Sequence, residues 1–68
     1  MKNRNKIMRE IRDIGLQVKV IEPGLAVYPS KEDDNHIWTL RLNKLLAIAQ
    51  KYGLRHYINF DLGYVRLH

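Results

Sequence analysis

The sequence predicts a single small α+β domain spanning residues 1–68. We expect a two-layer α/β sandwich in the order α-β-β-β-α-β-β, with two helices on one face of a mostly antiparallel sheet. The chain has 68 residues and no cysteine, so it can form one core and no disulfide. Apolar residues recur at helical spacing in two segments and alternate in the others, with glycine or proline at the boundaries.

The first helix is predicted over residues 4–14. Ile7, Ile11 and Ile14 follow one another at spacings of four and three, which is the pattern of a single buried helix face. Gly15 stands where a left-handed residue commonly ends a helix.

Two strands are predicted next, joined by a tight turn. Residues 16–21 alternate apolar and polar side chains, which is typical of a strand with one face in water. Pro23-Gly24 favours a type II turn with Gly24 at the third position, where φ is positive. The second strand is then residues 25–28.

The segment "HIWTLRLNKLLAIAQKYGL", residues 36–54, admits two interpretations. As one helix, it aligns five side chains in a stripe: Trp38, Leu42, Leu45, Ala49 and Tyr52. That helix would be apolar almost all round, which a domain this small can hardly bury. We therefore favour a strand over residues 36–42, followed by a helix over residues 44–52 that Asn43 caps.

The chain is predicted to end in a hairpin. Residues 54–60 and 64–68 form its strands, around the three-residue loop Asp61-Leu62-Gly63. Gly63 is expected in the left-handed conformation.

Alternation along the strands assigns side chains to two sides of the sheet. The side predicted to meet the helices carries Leu16, Val18, Val20, Leu25, Val27, Trp38, Leu40, Leu42, Leu54, Ile58, Phe60, Val65 and Leu67. The opposite side holds three of the four tyrosines and four Lys or Arg side chains, without a carboxylate. Its candidate nucleic-acid-binding residues are Lys19, Tyr28, Arg41, Arg55, Tyr57, Tyr64 and Arg66. This face is predicted with residues 37–42 extended, and an unbroken helix over residues 36–52, or a sheet sandwiched beneath other secondary structure, would end the proposal.

The charge distribution indicates an anionic partner. The chain has 12 Lys and Arg against seven Asp and Glu, a net charge of +5, and such a balance attracts nucleic acid, anionic membrane or acidic protein. Tyrosine rings stack on unpaired bases while Arg and Lys neutralise phosphates. We therefore expect a small non-enzymatic accessory or regulatory protein that binds single-stranded or structured RNA or DNA. A second basic contact is expected along the first helix, from Lys2, Arg4, Lys6, Arg9 and Arg12.

Two other functions fit the same sequence. Tyr, Thr and Arg also suit plain cross-strand pairing on a solvated face, with no binding role. Tyr and Arg are common at protein–protein hot spots as well. In that case the chain would be an adaptor or inhibitor, of the kind a phage or mobile element encodes, acting as a homodimer through this face or the edge of the terminal hairpin.

The third function is a metal- or histidine-dependent nuclease. Glu32, Asp33, Asp34 and His36 lie close together in the chain, but they lack the spacing of a calcium loop and are more typical of a solvated connector. With one Ser, no Cys and no glycine-rich phosphate loop, we expect no catalytic residues, bound metal, cofactor or small-molecule substrate.

No apolar run approaches the ~20 residues that cross a bilayer, so no membrane partner and a cytoplasmic location are expected. Over residues 4–52, the predicted order helix, three strands, helix is similar to the layout of double-stranded-RNA-binding domains. The resemblance is one of topology, and no residue role is carried over from it.

Overall fold

The structure is a computed structural model that describes residues 1–31 and 34–68. The described residues form two helices and four strands: α1 (Arg4–Asp13), β1 (Gln17–Ile21), β2 (Gly24–Tyr28), α2 (Asn35–Lys51), β3 (His56–Asn59) and β4 (Tyr64–Leu67). The strands form one antiparallel sheet in the order β1-β2-β4-β3. The predicted α+β class is confirmed, with the element order α-β-β-α-β-β and four strands instead of five.

Helix α1 follows the predicted apolar stripe. Ile7 and Ile11 are fully buried, and Ile14 packs against the core. Gly15 has a φ of 91°, a conformation that glycine adopts without a steric cost, and the chain turns there into β1.

Helix α2 is unbroken from Asn35 to Lys51, so the predicted strand over residues 36–42 is wrong. The side chain of Asp34 caps the helix by accepting a hydrogen bond from the Ile37 backbone N–H at 2.9 Å. The Thr39 hydroxyl donates to the Asn35 carbonyl oxygen at 2.8 Å, so its polar group is satisfied inside the helix. Asn43, predicted as a cap, lies in the middle of the helix.

The long helix is possible because the domain does not bury all of its apolar surface. Leu45 and Ala49 are buried, with Trp38 and Leu42 packed against the core, whereas Leu40 remains 52% exposed. Leu, Arg, Lys, Ala and Gln dominate the segment and favour a helix intrinsically. Only two strands precede α2, so the predicted likeness to the double-stranded-RNA-binding layout is also wrong.

The turn between β1 and β2 lies one residue earlier than predicted. Ile21 pairs with Gly24, so the loop is Glu22-Pro23, joined by a cis peptide bond, and Gly24 belongs to β2. The predicted type II turn is therefore wrong. Glycine is required at position 24 for another reason: a Cβ there would lie 2.0 Å from the Leu67 carbonyl oxygen of β4.

The core lies between the two helices and one side of the sheet. Its buried members are Ile7, Ile11, Leu16, Val18, Leu25, Val27, Leu45, Ile48, Ala49, Val65 and Leu67. Three side chains predicted to face inward are exposed instead: Val20 by 43%, Leu40 by 52% and Phe60 by 85%. Val20 lies on an edge strand, Leu40 on the helix, and Phe60 in a loop, because β3 ends at Asn59.

A polar contact joins the two helices beside this core. The Glu10 carboxylate accepts hydrogen bonds from the Tyr52 hydroxyl and from the Lys51 ammonium, the latter at 2.9 Å. These two donors, Tyr52 first, lower the pKa of Glu10 below its ordinary value of 4.5. The same carboxylate raises the pKa of Tyr52 and the pKa of Lys51.

This contact gives a pH-dependent prediction. Glu10→Gln removes the charge that both donors meet, so it should lower the melting temperature at neutral pH. Because the pKa of Glu10 is lower in the folded than in the unfolded chain, the stabilisation exists above the unfolded pKa and is lost as pH falls through the folded pKa. The difference in melting temperature between wild type and variant, followed by circular dichroism from about pH 7 downward, should begin to shrink below the ordinary pKa of 4.5 and approach zero below the lowered pKa of folded Glu10.

Lys44→Gln provides the control for this experiment, since Lys44 is an exposed residue of α2 with no described ion pair. A wild type–Glu10→Gln difference that stays constant into the acid range would contradict the prediction.

Candidate functional site

The candidate site is the side of the sheet that faces away from the helices. Both helices pack on the side that carries Val18, Val27 and Val65, and no described element covers the other side. We call this other side the open sheet face. It is formed by Gln17, Lys19, Ile21, Ala26, Tyr28, Arg55, Tyr57, Asn59, Tyr64, Arg66 and His68.

The strand register arranges these side chains in rows across the sheet. In the central row Lys19 is paired with Ala26, Ala26 with Arg66, and Arg66 with Tyr57. Ala26 is fully buried, since its methyl group lies below the longer side chains that flank it. The Nε of Arg66 is also buried and has no hydrogen-bond partner among residues 1–31 and 34–68. A guanidinium nitrogen at the centre of the face therefore has an unused donor.

A second row contains two of the tyrosines. The Tyr28 and Tyr64 ring centroids are 5.4 Å apart with the planes tilted by 31°, and the Lys19 ammonium lies 5.7 Å from the Tyr28 centroid. These contacts fix the rings in place by aromatic and cation–π attraction. Tyr57 stands apart from the pair, and 61% of its surface is exposed.

The third row lies just before β3 begins and just after β4 ends. Arg55 and His68 exchange both backbone hydrogen bonds there, at 2.7 and 3.0 Å, so the exposed Arg55 is held in line with the sheet. Lys19, Arg55 and Arg66 thus place three cations on the open sheet face. None of them has a carboxylate partner in the described part of the chain, and no described carboxylate belongs to the face.

Arg41 is the predicted site residue that lies elsewhere. It belongs to α2, where its Nη1 donates to the Gly15 carbonyl oxygen at 3.1 Å, and its guanidinium covers Gly15 so closely that a Cβ there would come within 2.6 Å of Cζ. Arg41 therefore braces the connection between α1 and β1. Arg41 is absent from the open sheet face because residues 37–42 are helical and not extended.

The remaining six predicted residues share the open sheet face. The alternation predicted along β1, β2, β3 and β4 agrees with the structure, so these six side chains lie on the same side of the four-stranded sheet. The unbroken helix from Asn35 to Lys51 is the outcome that ends the face as predicted, with residues 37–42 extended. The face that remains rests on the four observed strands alone.

The basic residues of α1 do not extend this face. Lys6, Arg9 and Arg12 are exposed on the helix layer, on the other side of the sheet from Tyr57, and Arg4 is paired with Glu22 at 3.1 Å. The molecule thus presents two separate basic surfaces.

The acidic segment offers no described metal site. Glu32 and Asp33 lie outside the described residues, Asp34 caps α2, and His36 is exposed in the first helical turn. Among residues 1–31 and 34–68, no group of three or more His, Cys, Asp or Glu side chains is arranged to hold a metal ion.

One exposed feature escaped the sequence analysis. The β3–β4 loop has four residues, Phe60 to Gly63, instead of the predicted three. Phe60 is 85% exposed and Leu62 71% exposed. Asn59 anchors the loop, because its carbonyl oxygen accepts from Gly63 N–H and its side-chain oxygen from Leu62 N–H, both at 2.9 Å. An asparagine followed closely by Asp and Gly is a turn signal that would have ended the strand at residue 59.

Comparison of the chain with protein-family models, with curated proteins and with solved structures gave no match. Neither helix of the described residues has the length and apolar character needed to cross a membrane.

Proposed function

We propose that the open sheet face binds single-stranded nucleic acid and that the protein is a cytoplasmic accessory module without catalytic activity. The observation that carries this proposal is the combination of three cations with the exposed ring of Tyr57 on one uncovered surface that has no described carboxylate. Basic side chains track the phosphates of a strand, while aromatic rings stack on its bases; together these are the two contacts that sequence-tolerant single-strand binding requires.

The size of the face suits a short stretch of single strand. Lys19 on β1 and Tyr57 on β3 are separated by three inter-strand spacings, or about 14 Å at ~4.8 Å each. That width accommodates a few nucleotides of a single strand. Tyr57 contributes only when bases are unpaired, since a duplex hides the base faces inside its stack. The proposal therefore favours single strands over duplexes.

The basic side of α1 has a different role in this proposal. It lies across the molecule from the ligand and attracts the polyanion at long range, which raises the encounter rate more than the affinity of the final contact.

The proposal predicts a strong salt dependence of binding. With Lys19, Arg55 and Arg66 each neutralising one phosphate, a plot of log affinity against log salt concentration should have a slope of about −2, at roughly −0.7 per phosphate. Lys19→Gln should reduce the magnitude of that slope by about 0.7. Fluorescence anisotropy of a labelled single-stranded oligonucleotide, titrated at several salt concentrations, measures both.

Lys44→Gln is the matched control, because it removes the same charge from α2, away from the open sheet face. Equal effects of the two substitutions would show that net charge alone is responsible, and a flat salt response of the wild type would rule out the interface.

The tyrosines give a separate prediction. Tyr57→Ala/Tyr64→Ala should weaken binding by about 1–3 kcal/mol for each stacked base that is lost, with little change in the salt slope, because no cation is removed. Tyr57→Ala alone tests binding apart from folding, since this ring is largely exposed. Unchanged affinity in the double variant, with an unchanged melting curve, would overturn the stacking contact.

A second candidate function is self-association through strand β3. The sheet order leaves β3 at an edge, with no described strand on its outer side. Arg55 and His68 exchange both backbone bonds, so in the alternating antiparallel ladder the His56 N–H points outward. An outward row of free N–H and C=O groups is a template for a strand from a second copy, which would make the protein a dimeric adaptor or inhibitor.

His56→Pro tests this candidate directly. Proline removes the outward N–H without disturbing the pairing of β3 with β4, so it should abolish a concentration-dependent dimer in sedimentation velocity. His56→Ala keeps the N–H and should dimerise as the wild type does. A wild type that sediments as a monomer at all concentrations, or a dimer that survives the proline, excludes pairing at this edge.

A further inference from the structure

The outer face of α1 is a basic surface separate from the open sheet face. It lies on the side of the helix opposite Ile7 and Ile11, which are fully buried in the core. Its cations are Lys6, Arg9 and Arg12, all exposed, and none of the three has an ion pair in the described part of the chain. We call these three side chains the α1 basic ridge.

Most carboxylates near the α1 basic ridge are engaged elsewhere. The Glu10 carboxylate is held by two donors from the end of α2, and Glu22 is paired with Arg4 at 3.1 Å. Asp13, exposed in the last turn of α1, has no ion pair among the described residues. The ridge therefore keeps an excess of positive charge, which Asp13 reduces at one end.

The three cations form a row along the helix. They follow one another at intervals of three residues, so each lies about 4.5 Å further along the helix axis, at ~1.5 Å per residue. A small anion is bound by donors that converge on one point, whereas a row of cations matches a linear polyanion such as the phosphate backbone of nucleic acid.

The composition of this face favours a duplex over a single strand or a membrane. Residues 1–13 contain no aromatic side chain that could stack on an unpaired base. Cations alone favour a duplex, because each neutralised phosphate contributes about 0.9 to the salt slope on a duplex and about 0.7 on a single strand. A helix that binds an anionic membrane inserts apolar side chains into it, and those of α1 are buried in the core.

The α1 basic ridge and the open sheet face lie on opposite sides of the molecule. The smallest dimension of the domain is 17 Å, about twice the ~8 Å Debye length at physiological ionic strength. Phosphates bound on one side are therefore largely screened from phosphates bound on the other.

We propose that the α1 basic ridge binds the phosphate backbone of a duplex, independently of base sequence, and that one molecule holds a duplex and a single strand at the same time. Simultaneous binding rests on the proposed function of the open sheet face, whereas the duplex site does not. The inference goes beyond long-range attraction, because it makes α1 a contact in the final complex.

Two variants that each remove two exposed charges separate the two surfaces. Arg9→Gln/Arg12→Gln should reduce the magnitude of the salt slope for a labelled duplex by about 1.8 and weaken duplex binding at least about tenfold at 0.1 M salt. The same variant should leave the affinity for a single strand unchanged. Lys19→Gln/Arg55→Gln should weaken single-strand binding and leave duplex binding unchanged. Fluorescence anisotropy of each labelled oligonucleotide measures these effects.

Asp13→Asn should have an effect of the opposite sign. It removes a carboxylate that would repel duplex phosphates, so it should strengthen duplex binding without changing single-strand binding. Unchanged duplex affinity in this variant would contradict contact at the α1 basic ridge.

Simultaneous binding is measured with a single strand fixed to beads and a labelled duplex of unrelated sequence in solution. The wild type should retain the duplex on the beads, and neither of the two double variants should retain it. Wild type that binds each nucleic acid separately but retains no duplex would show that the two compete, which overturns simultaneous binding.

The remaining outcomes separate the duplex site from the proposed function. Duplex binding that Arg9→Gln/Arg12→Gln leaves unchanged, or that both double variants weaken equally, overturns the duplex site. Displacement of the duplex by poly-glutamate at equal charge concentration overturns it as well, since it would assign the ridge to acidic protein. If the wild type binds no single strand while duplex binding still depends on Arg9 and Arg12, the proposed function fails and the duplex site is supported.

Discussion

Burial on one side of the sheet is the constraint on which the rest of this structure depends. Both helices of the described residues pack on the same side of the sheet. Ile11 of α1 and Leu45 of α2 share one core with the sheet residues Leu25 and Val65. No further described element is left to cover the opposite side. Because side chains alternate along each strand, every apolar residue placed under the helices puts its neighbours on the other side of the sheet. The open sheet face is therefore a consequence of how the core is built.

That constraint also explains which polar contacts the fold needs. Arg41 and Ser30 both donate to the Gly15 carbonyl oxygen, at the sharp connection from α1 into β1, and Glu10 joins α1 to the end of α2. The first pair of contacts lies at the short connection between the helix layer and the sheet, and the second joins the two helices beside the core. A small core leaves a narrow margin of stability, so a few such contacts at the edges of the layers matter more here than in a large domain.

The sequence predicted the elements whose periodicity is unambiguous. The isoleucine stripe of α1, the alternation in β1 and the terminal hairpin were recognised because one face of each is polar and the other apolar. In residues 36–42 the spacing of the apolar side chains fits a helix as well as a strand, so hydrophobic periodicity does not distinguish the two. The deciding information was the cap at Asp34 and the helix-forming composition after residue 40, together with the tolerance of an exposed Leu40, which only the packed structure reveals. The helical state of residues 37–42 takes Arg41 off the open sheet face, and the turn that begins at Asn59 places Phe60 in a loop and not in β3.

The two proposed uses of the sheet do not exclude each other. Pairing at the β3 edge uses backbone groups in the plane of the sheet, whereas nucleic acid would lie on side chains above that plane. If two copies pair antiparallel through His56, the two-fold axis stands perpendicular to the joined sheets, so both open sheet faces lie on the same side. The joined face would carry twice the cations and the second Tyr57 beside the first. A strand long enough to cross both halves would gain affinity from effective concentration alone, without any contact that the single domain lacks. In that proposed arrangement, pairing at the β3 edge would set the length of single strand that two copies bind together.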